Sequence, residues 1–241
     1  MDIPKIFKSF KGLVAAQTNR NNPFRLPQHI ISVSDLNLSD EQNEKNKINF
    51  LNELGIIESQ IAYAKQVHGN AIAFVDRVQY LEGFDALITN KKNIFLLVSI
   101  ADCTPVLIYD SINNVFAAIH AGWRGTEKQI VALTLKKMNE QFGTNGKNCF
   151  AYIGTCISEN AFEVGEDVAM LFDKQFVVKQ KRKWHVNLKE ANKSQLMQFG
   201  IPNNQIEISE HCTVTNNNNY FSYRKENGKT GRLFALIGMK P

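Results

Sequence analysis

At 241 residues and 44% hydrophobic composition, the chain can bury a sizeable core unaided, which sets aside a disordered or crosslink-dependent protein. Its net charge of +5 comes from scattered lysines, with KQKRK at 179–183 the densest group and no aromatic-basic stripe, so that group reads as a solvated loop and no nucleic-acid partner is expected. MDIPKIFKSFKGLV lacks the unbroken apolar stretch of a secretion signal or membrane span, and four cysteines are too few for a disulfide framework. A cytoplasmic protein without membrane contact is expected, its cysteines thiols or metal ligands.

In chain order, Asp40 to Leu54 carries Phe50, Leu51 and Leu54 at helical spacing and stops at Gly55, which predicts a helix with a glycine end. IAYAKQV and AIAFV read as strands, with His68 and Gly69 between them. IFLLVSI (94–100), PVLIY (105–109) and VFAAI (115–119) have the density, length and flanks of buried strands. After HAGWRG, Thr126 and Gln129 have capping-box spacing, and Ile130, Val131, Thr134, Leu135, Met138 and Phe142 form one apolar face, so a helix is expected directly behind the motif.

CFAYIG (149–154) is a further strand, and Asn187 with Glu190 opens a helix that reaches Phe199 before Gly200 and Pro202. QIEIS and RLFALIG close the chain as strands, and NNNN at 216–219 reads as a turn. Helices and strands interleave without regular alternation. The expected architecture is therefore a single α+β domain over residues 1–241, with mixed β-sheets flanked by helices.

Three strand ends carry reactive groups: His68 after IAYAKQV, Asp102-Cys103 after IFLLVSI and His120 after VFAAI. Two imidazoles and a thiolate suit a borderline-soft divalent ion, zinc first, with a fourth position left open as in catalytic sites. The long spacing matches no zinc finger, and singly each residue is more often a core or surface group. Gly122 and Arg124, at the start of the expected helix, suit a phosphate or carboxylate. Trp123 reads first as a core aromatic and second as a stacking surface. His185 and His211 read as surface or loop residues, Cys149 and Cys156 as core or loop thiols. No Walker loop, GxGxxG or HExxH is present.

QVHGN, DALITN, ADCTPVLIYD, AAIHAGWRGT, IGTCISENAFEVG and FSYRKENGKTGRLFALIG, in that order, resemble the multicopper polyphenol oxidase, or laccase-domain, family of purine nucleoside phosphorylases. The resemblance implies an α+β sandwich with one zinc ion, copper being possible, on His68, Cys103 and His120. It implies phosphorolysis of adenosine, inosine and methylthioadenosine, and deamination of adenosine. Arg20, in TNR, joins Arg124 as a phosphate candidate by charge. Asp102 is expected to orient a ligand imidazole or to transfer a proton, and Tyr223 and Arg224 to line the pocket or an edge strand. Two departures from the family pattern are Gly154-Thr155-Cys156-Ile157-Ser158, in a loop near the site, and Asn46-Lys47 in the first helix, where an arginine fork becomes a point charge. The alternatives are a thiol hydrolase with Cys103 as nucleophile, a copper phenol oxidase, for which five histidines are few, and a non-catalytic binding or cell-wall quality-control protein.

Overall fold

The computed structural model describes residues 1–21, 23, 24, 26 and 39–241. Its first strands are β1 (Leu13–Gln17), β2 (Ile61–Lys65), β3 (Ile72–Phe74), β4 (Tyr80–Glu82), β5 (Ala86–Thr89), β6 (Phe95–Ile100) and β7 (Thr104–Asp110). They continue with β8 (Val115–Ala121), β9 (Cys149–Ile153), β10 (Glu163–Val164), β11 (Val177–Gln180), β12 (Lys183–Val186), β13 (Ile206–Ile208) and β14 (Leu233–Met239). The helices are α1 (Asp40–Leu54), α2 (Trp123–Glu127), α3 (Ile130–Phe142), α4 (Glu166–Ala169) and α5 (Leu188–Gln198).

Two large mixed sheets, in the orders β1-β14-β6-β2-β4 and β13-β9-β7-β8-β5-β3, pack face to face. The dense apolar runs follow from burial on both faces. In β6, Leu96 and Val98 enter the layer between the sheets, where they join Leu107 and Tyr109 of β7 and Phe116 and Ala118 of β8. The alternate residues Phe95 and Leu97 meet Phe50, Leu51 and Leu54 of α1. Val106, Ile108, Ala117 and Ile119 face Ile130, Val131, Leu135 and Met138 of α3 and Leu196 of α5. The result is four layers, helix, sheet, sheet and helices, with a small β10-β12-β11 sheet beside them.

The mixed α+β architecture is as expected, and so are α1 and the strands over 94–121. α1 begins at Ser39, whose hydroxyl accepts from the Gln42 amide at 3.1 Å, and ends at Gly55 with φ of 64°. The segment behind HAGWRG differs from expectation. α2 starts at Trp123, and Gln129, at φ of 60°, breaks the backbone before α3. Thr126 caps nothing: its buried hydroxyl accepts from Asn192 Nδ2 at 3.1 Å. The first turn of α3 is served from α5, where Gln195 Oε1 accepts from Val131 and Ala132, each at 3.1 Å. KQKRK is solvated, as expected, but forms a hairpin between β11 and β12, turning at Lys181 and Arg182 with φ of 47° and 68°. No described helix is long and apolar enough to cross a membrane.

Candidate metal centre

β2 and β6 are adjacent and parallel, so their carboxyl ends lie at one edge of their sheet. From that edge Gln66-Val67-His68 leads out of β2, and Ala101-Asp102-Cys103 leads from β6 into β7 of the other sheet. The Gln66 side chain extends the pairing: Nε2 donates to Ser99 O and Oε1 accepts from Ser99 N, both at 2.8 Å. β8 runs antiparallel to β7 and sets His120 opposite Pro105. His68 and Asp102 hold left-handed backbones, φ of 59° and 80°, a strained conformation for non-glycine residues that concentrates at functional sites.

These segments bring His68, Cys103 and His120 together, with all three donor atoms within 4.8 Å of one another. The imidazoles meet edge to face, 4.8 Å between centroids. His68 is exposed, Cys103 half-buried and His120 buried. Asp85, immediately before β5, organises the set. Its carboxylate accepts from the amides of His68 at 2.9 Å and Gly69 at 2.7 Å and lies 2.8 Å from His120 Nδ1.

Burial pushes the Asp85 carboxyl up, but the bonds from His120 and the amides outweigh it and hold the group below its usual range. An ionised carboxylate only accepts, so His120 Nδ1 carries the proton and Nε2 remains the donor atom for an ion. Burial likewise pushes the Cys103 thiol up and the His120 imidazole down. Their mutual attraction reverses both, favouring thiolate beside imidazolium when no ion is held. Gly122 lies against the donors: a Cβ there would stand 3.1 Å from Cys103 Sγ and 3.5 Å from His68 Cδ2. Two nitrogens, one sulfur and a carboxylate-backed imidazole fit zinc with an open position.

The donors sit in a cavity of about 770 Å³ whose walls include apolar Trp123, Ile157 and Phe162 and cationic Arg124, Arg224 and Arg232. Trp123 is half-buried; it packs on the Ile157 and Phe162 cluster, as expected of a core aromatic, and also lines the cavity. Arg124 is exposed on the cavity wall, its guanidinium 4.2 Å from the Trp123 ring centroid.

Three expectations are corrected. Asp102 orients no imidazole; its carboxylate accepts from the Thr213 hydroxyl and, at 2.7 Å, from the Arg224 amide, and Asp85 takes the place expected for it. Arg20 is not on the cavity wall: it pairs with Glu226, donates to Asn217 O at 2.7 Å and lies over Phe221, which leaves its charge compensated. His185 is buried in β12, with Nδ1 3.0 Å from Glu159 O. Of the two departures from the family pattern, Lys47 is buried away from the cavity between Glu44 and Glu58, at 2.9 and 2.8 Å. Ile157, in the departing loop, does reach the cavity and donates its N–H to Asp102 O at 3.0 Å.

The family model for multi-copper polyphenol oxidoreductase laccase matches residues 29–240. A purine nucleoside phosphorylase of Bacteroides thetaiotaomicron is 42% identical over 169 residues, 67% of this chain and 63% of that protein, slightly under two thirds of its length. Adenosine deaminase RL5, from an unknown prokaryotic organism, is 32% identical over 206 residues, 78% of each chain. The crystal structure of Bacillus licheniformis hypothetical protein YfiH superposes with a TM-score of 0.88 at 28% identity, covering 99% of this chain and 96% of that one. The converging donors and the match over nearly the whole sequence place the chain in the multi-copper polyphenol oxidoreductase laccase family.

Proposed function

We propose that the protein is a zinc-dependent purine nucleoside phosphorylase of the cytoplasm. It takes adenosine, inosine or methylthioadenosine with phosphate to the free base and the pentose 1-phosphate, and it also deaminates adenosine. The observation that carries this reading is the donor set of His68, Cys103 and His120 in a cavity of about 770 Å³, a size suited to a small organic ligand. The names of the relatives supply the substrate class.

An ion held by the three donors, zinc or alternatively copper, would supply Lewis acidity toward a substrate oxygen or nitrogen. Asp85 keeps His120 in one tautomer and fixes the His68 turn through two backbone amides. Trp123, Ile157 and Phe162 exclude water from one side and offer a flat apolar surface for a purine. Arg124 holds phosphate by charge, and the Gly122 backbone lets the chain pass close to the donors.

The test is to incubate zinc-replete protein with adenosine, with and without phosphate, and to separate adenine, inosine and hypoxanthine by chromatography. Phosphate-dependent adenine and phosphate-independent inosine, both lost in Cys103→Ala, are expected. Absence of both products from the wild-type reaction overturns the reading for adenosine and leaves a thiol hydrolase or a binding protein.

The Asp85, His120 and Cys103 series favours one second reading, a thiol hydrolase with Cys103 as nucleophile. Activity that survives chelation and is lost on stoichiometric alkylation of Cys103 would select it. Activity lost on chelation and restored by zinc selects the metal enzyme.

A further inference from the structure

β9 and β13 pair in parallel, and the segments that follow them run on side by side. The Ser209 amide donates to Ile153 O at 2.8 Å, the Thr213 amide donates to Cys156 O at 3.0 Å, and Cys156 stands in register with Cys212 in a parallel bridge. Neighbouring strands lie about 4.7–4.9 Å apart, inside the roughly 4.4–6.8 Å between Cα atoms that a disulfide spans. Registered side chains also project to one face of the ladder. The Cys212 sulfur turns toward the facing segment, accepting from the Ser158 amide at 3.3 Å. Both thiols are free, and neither belongs to the donor set of the metal centre. Cys149 has no such neighbour in register; it faces Asp110 of β7.

The two cysteines are chemically unequal. Cys212, 4% exposed, follows the exposed Glu210 and His211, whereas Cys156 is fully buried. Burial pushes both thiols up. At Cys212 the bonds from Ser158 and Thr215 outweigh burial and bring the thiol below its ordinary value; Cys156 is pushed up to about 11. A thiolate is the species that an oxidant attacks, and a neutral thiol beside it is suited to close the bridge afterwards. Each cysteine also precedes a residue that shapes the cavity. Ile157 lines it and donates its N–H to Asp102 O at 3.0 Å, and the Thr213 hydroxyl donates to the Asp102 carboxylate.

We infer that Cys156 and Cys212 are a reversible oxidation site, closed to a disulfide by hydrogen peroxide and reopened by a thiol such as glutathione, and that closure acts on the cavity wall through Ile157 and Thr213. The Cys212 thiolate attacks one peroxide oxygen, the O–O bond breaks, and the hydroxide released takes a proton to leave as water. Cys156 sulfur then attacks the Cys212 sulfenic acid: the S–S bond forms, the S–O bond breaks, and a second water leaves with the Cys156 proton. The two thiols lose two electrons and the peroxide gains them. Closure draws the Cβ atoms to about 3.8 Å, closer than the ladder sets them, so the displacement passes to the next residue of each segment and loosens its bond to Asp102.

The test is to treat zinc-replete protein with hydrogen peroxide, alkylate the remaining thiols, digest, and map the cysteines by mass spectrometry, with fragment spectra to tell Cys156 from Cys149. A peptide pair joined through Cys156 and Cys212, lighter by two hydrogens and separated again by reduced glutathione, is expected. Hydrogen exchange at the Ile157 amide should speed about tenfold in the cross-linked protein, as on the loss of one hydrogen bond, and return on reduction. In Cys156→Ala the Cys212 sulfenic acid should persist and be trapped by dimedone.

Cys212 joined to Cys103, or carried to the sulfinic acid with no cross-link to Cys156, overturns the pair. No dimedone adduct in a folded Cys156→Ala protein overturns Cys212 as the attacking thiol, and mapping of the wild type decides the pairing if that variant does not fold. Unchanged exchange at Ile157 in the cross-linked protein overturns the action on the cavity wall. None of these readouts needs turnover, so they stand whichever activity the cavity carries.

Discussion

Asp85 is 1% exposed and bonds to the backbone of two turn residues and to the His120 imidazole. Asp85→Asn keeps the shape and removes the charge, so the His120 tautomer is no longer enforced. Zinc affinity should fall about 10- to 100-fold, read by competition with a chromophoric chelator, with unchanged affinity counting against the role. Gly122→Ala tests a steric requirement instead. Its φ of −66° suits alanine, but the new methyl would crowd Cys103 Sγ. Weaker zinc binding with an unchanged circular dichroism spectrum is expected. The three donors were legible in the sequence because each stands where an apolar run stops. Asp85 was not, since an acid before a short strand also reads as a turn residue. Arg20 was misplaced because its partner, Glu226, lies 206 positions away.

The break between α2 and α3 belongs to the scale of the element. Gln129 pays for a left-handed backbone that glycine adopts freely, so Gln129→Gly should stabilise the fold by about 0.5–1 kcal/mol in urea unfolding. Loss of stability would show that the side chain matters more than the backbone. The sequence pattern anticipated a capped helix here because spacing alone cannot distinguish Thr126 as a cap from Thr126 as a buried partner of Asn192. The 220–232 turn gives a pH dependence. Burial pushes Glu226 up, but its bonds from Thr230, the Ser222 amide and Arg20 outweigh this and hold its pKa below the usual 4.5. A carboxylate depressed in the folded state stabilises above its unfolded pKa and loses that contribution as pH falls through the folded one. Glu226→Gln should therefore lower stability at neutral pH and reduce its slope below about pH 4.5, measured by unfolding at a series of pH values. A slope equal to wild type would remove Glu226 from the acid response.

Across the whole molecule, the strands buried on both faces were the most legible, because two-sided burial demands runs such as IFLLVSI. β10, β11 and β12 escaped notice: they are short, and β11 is largely exposed, with no apolar run to mark it. The layer order was not legible either, since periodicity shows which faces are apolar and not which faces meet. That layer order bears on how the protein acquires its metal. His68 follows a strand of the five-stranded sheet, Cys103 lies in the passage from one sheet to the other, and His120 sits in the six-stranded sheet. A folding intermediate with only one sheet assembled holds an incomplete set of donors, so tight capture of an ion must await the docking of both. In refolding followed with cobalt as a spectroscopic substitute, the thiolate-to-metal absorption should rise in the slowest phase, together with native tertiary signals. An earlier rise would mean that the ion templates the sandwich; a concurrent rise would make metal loading a marker of completed assembly.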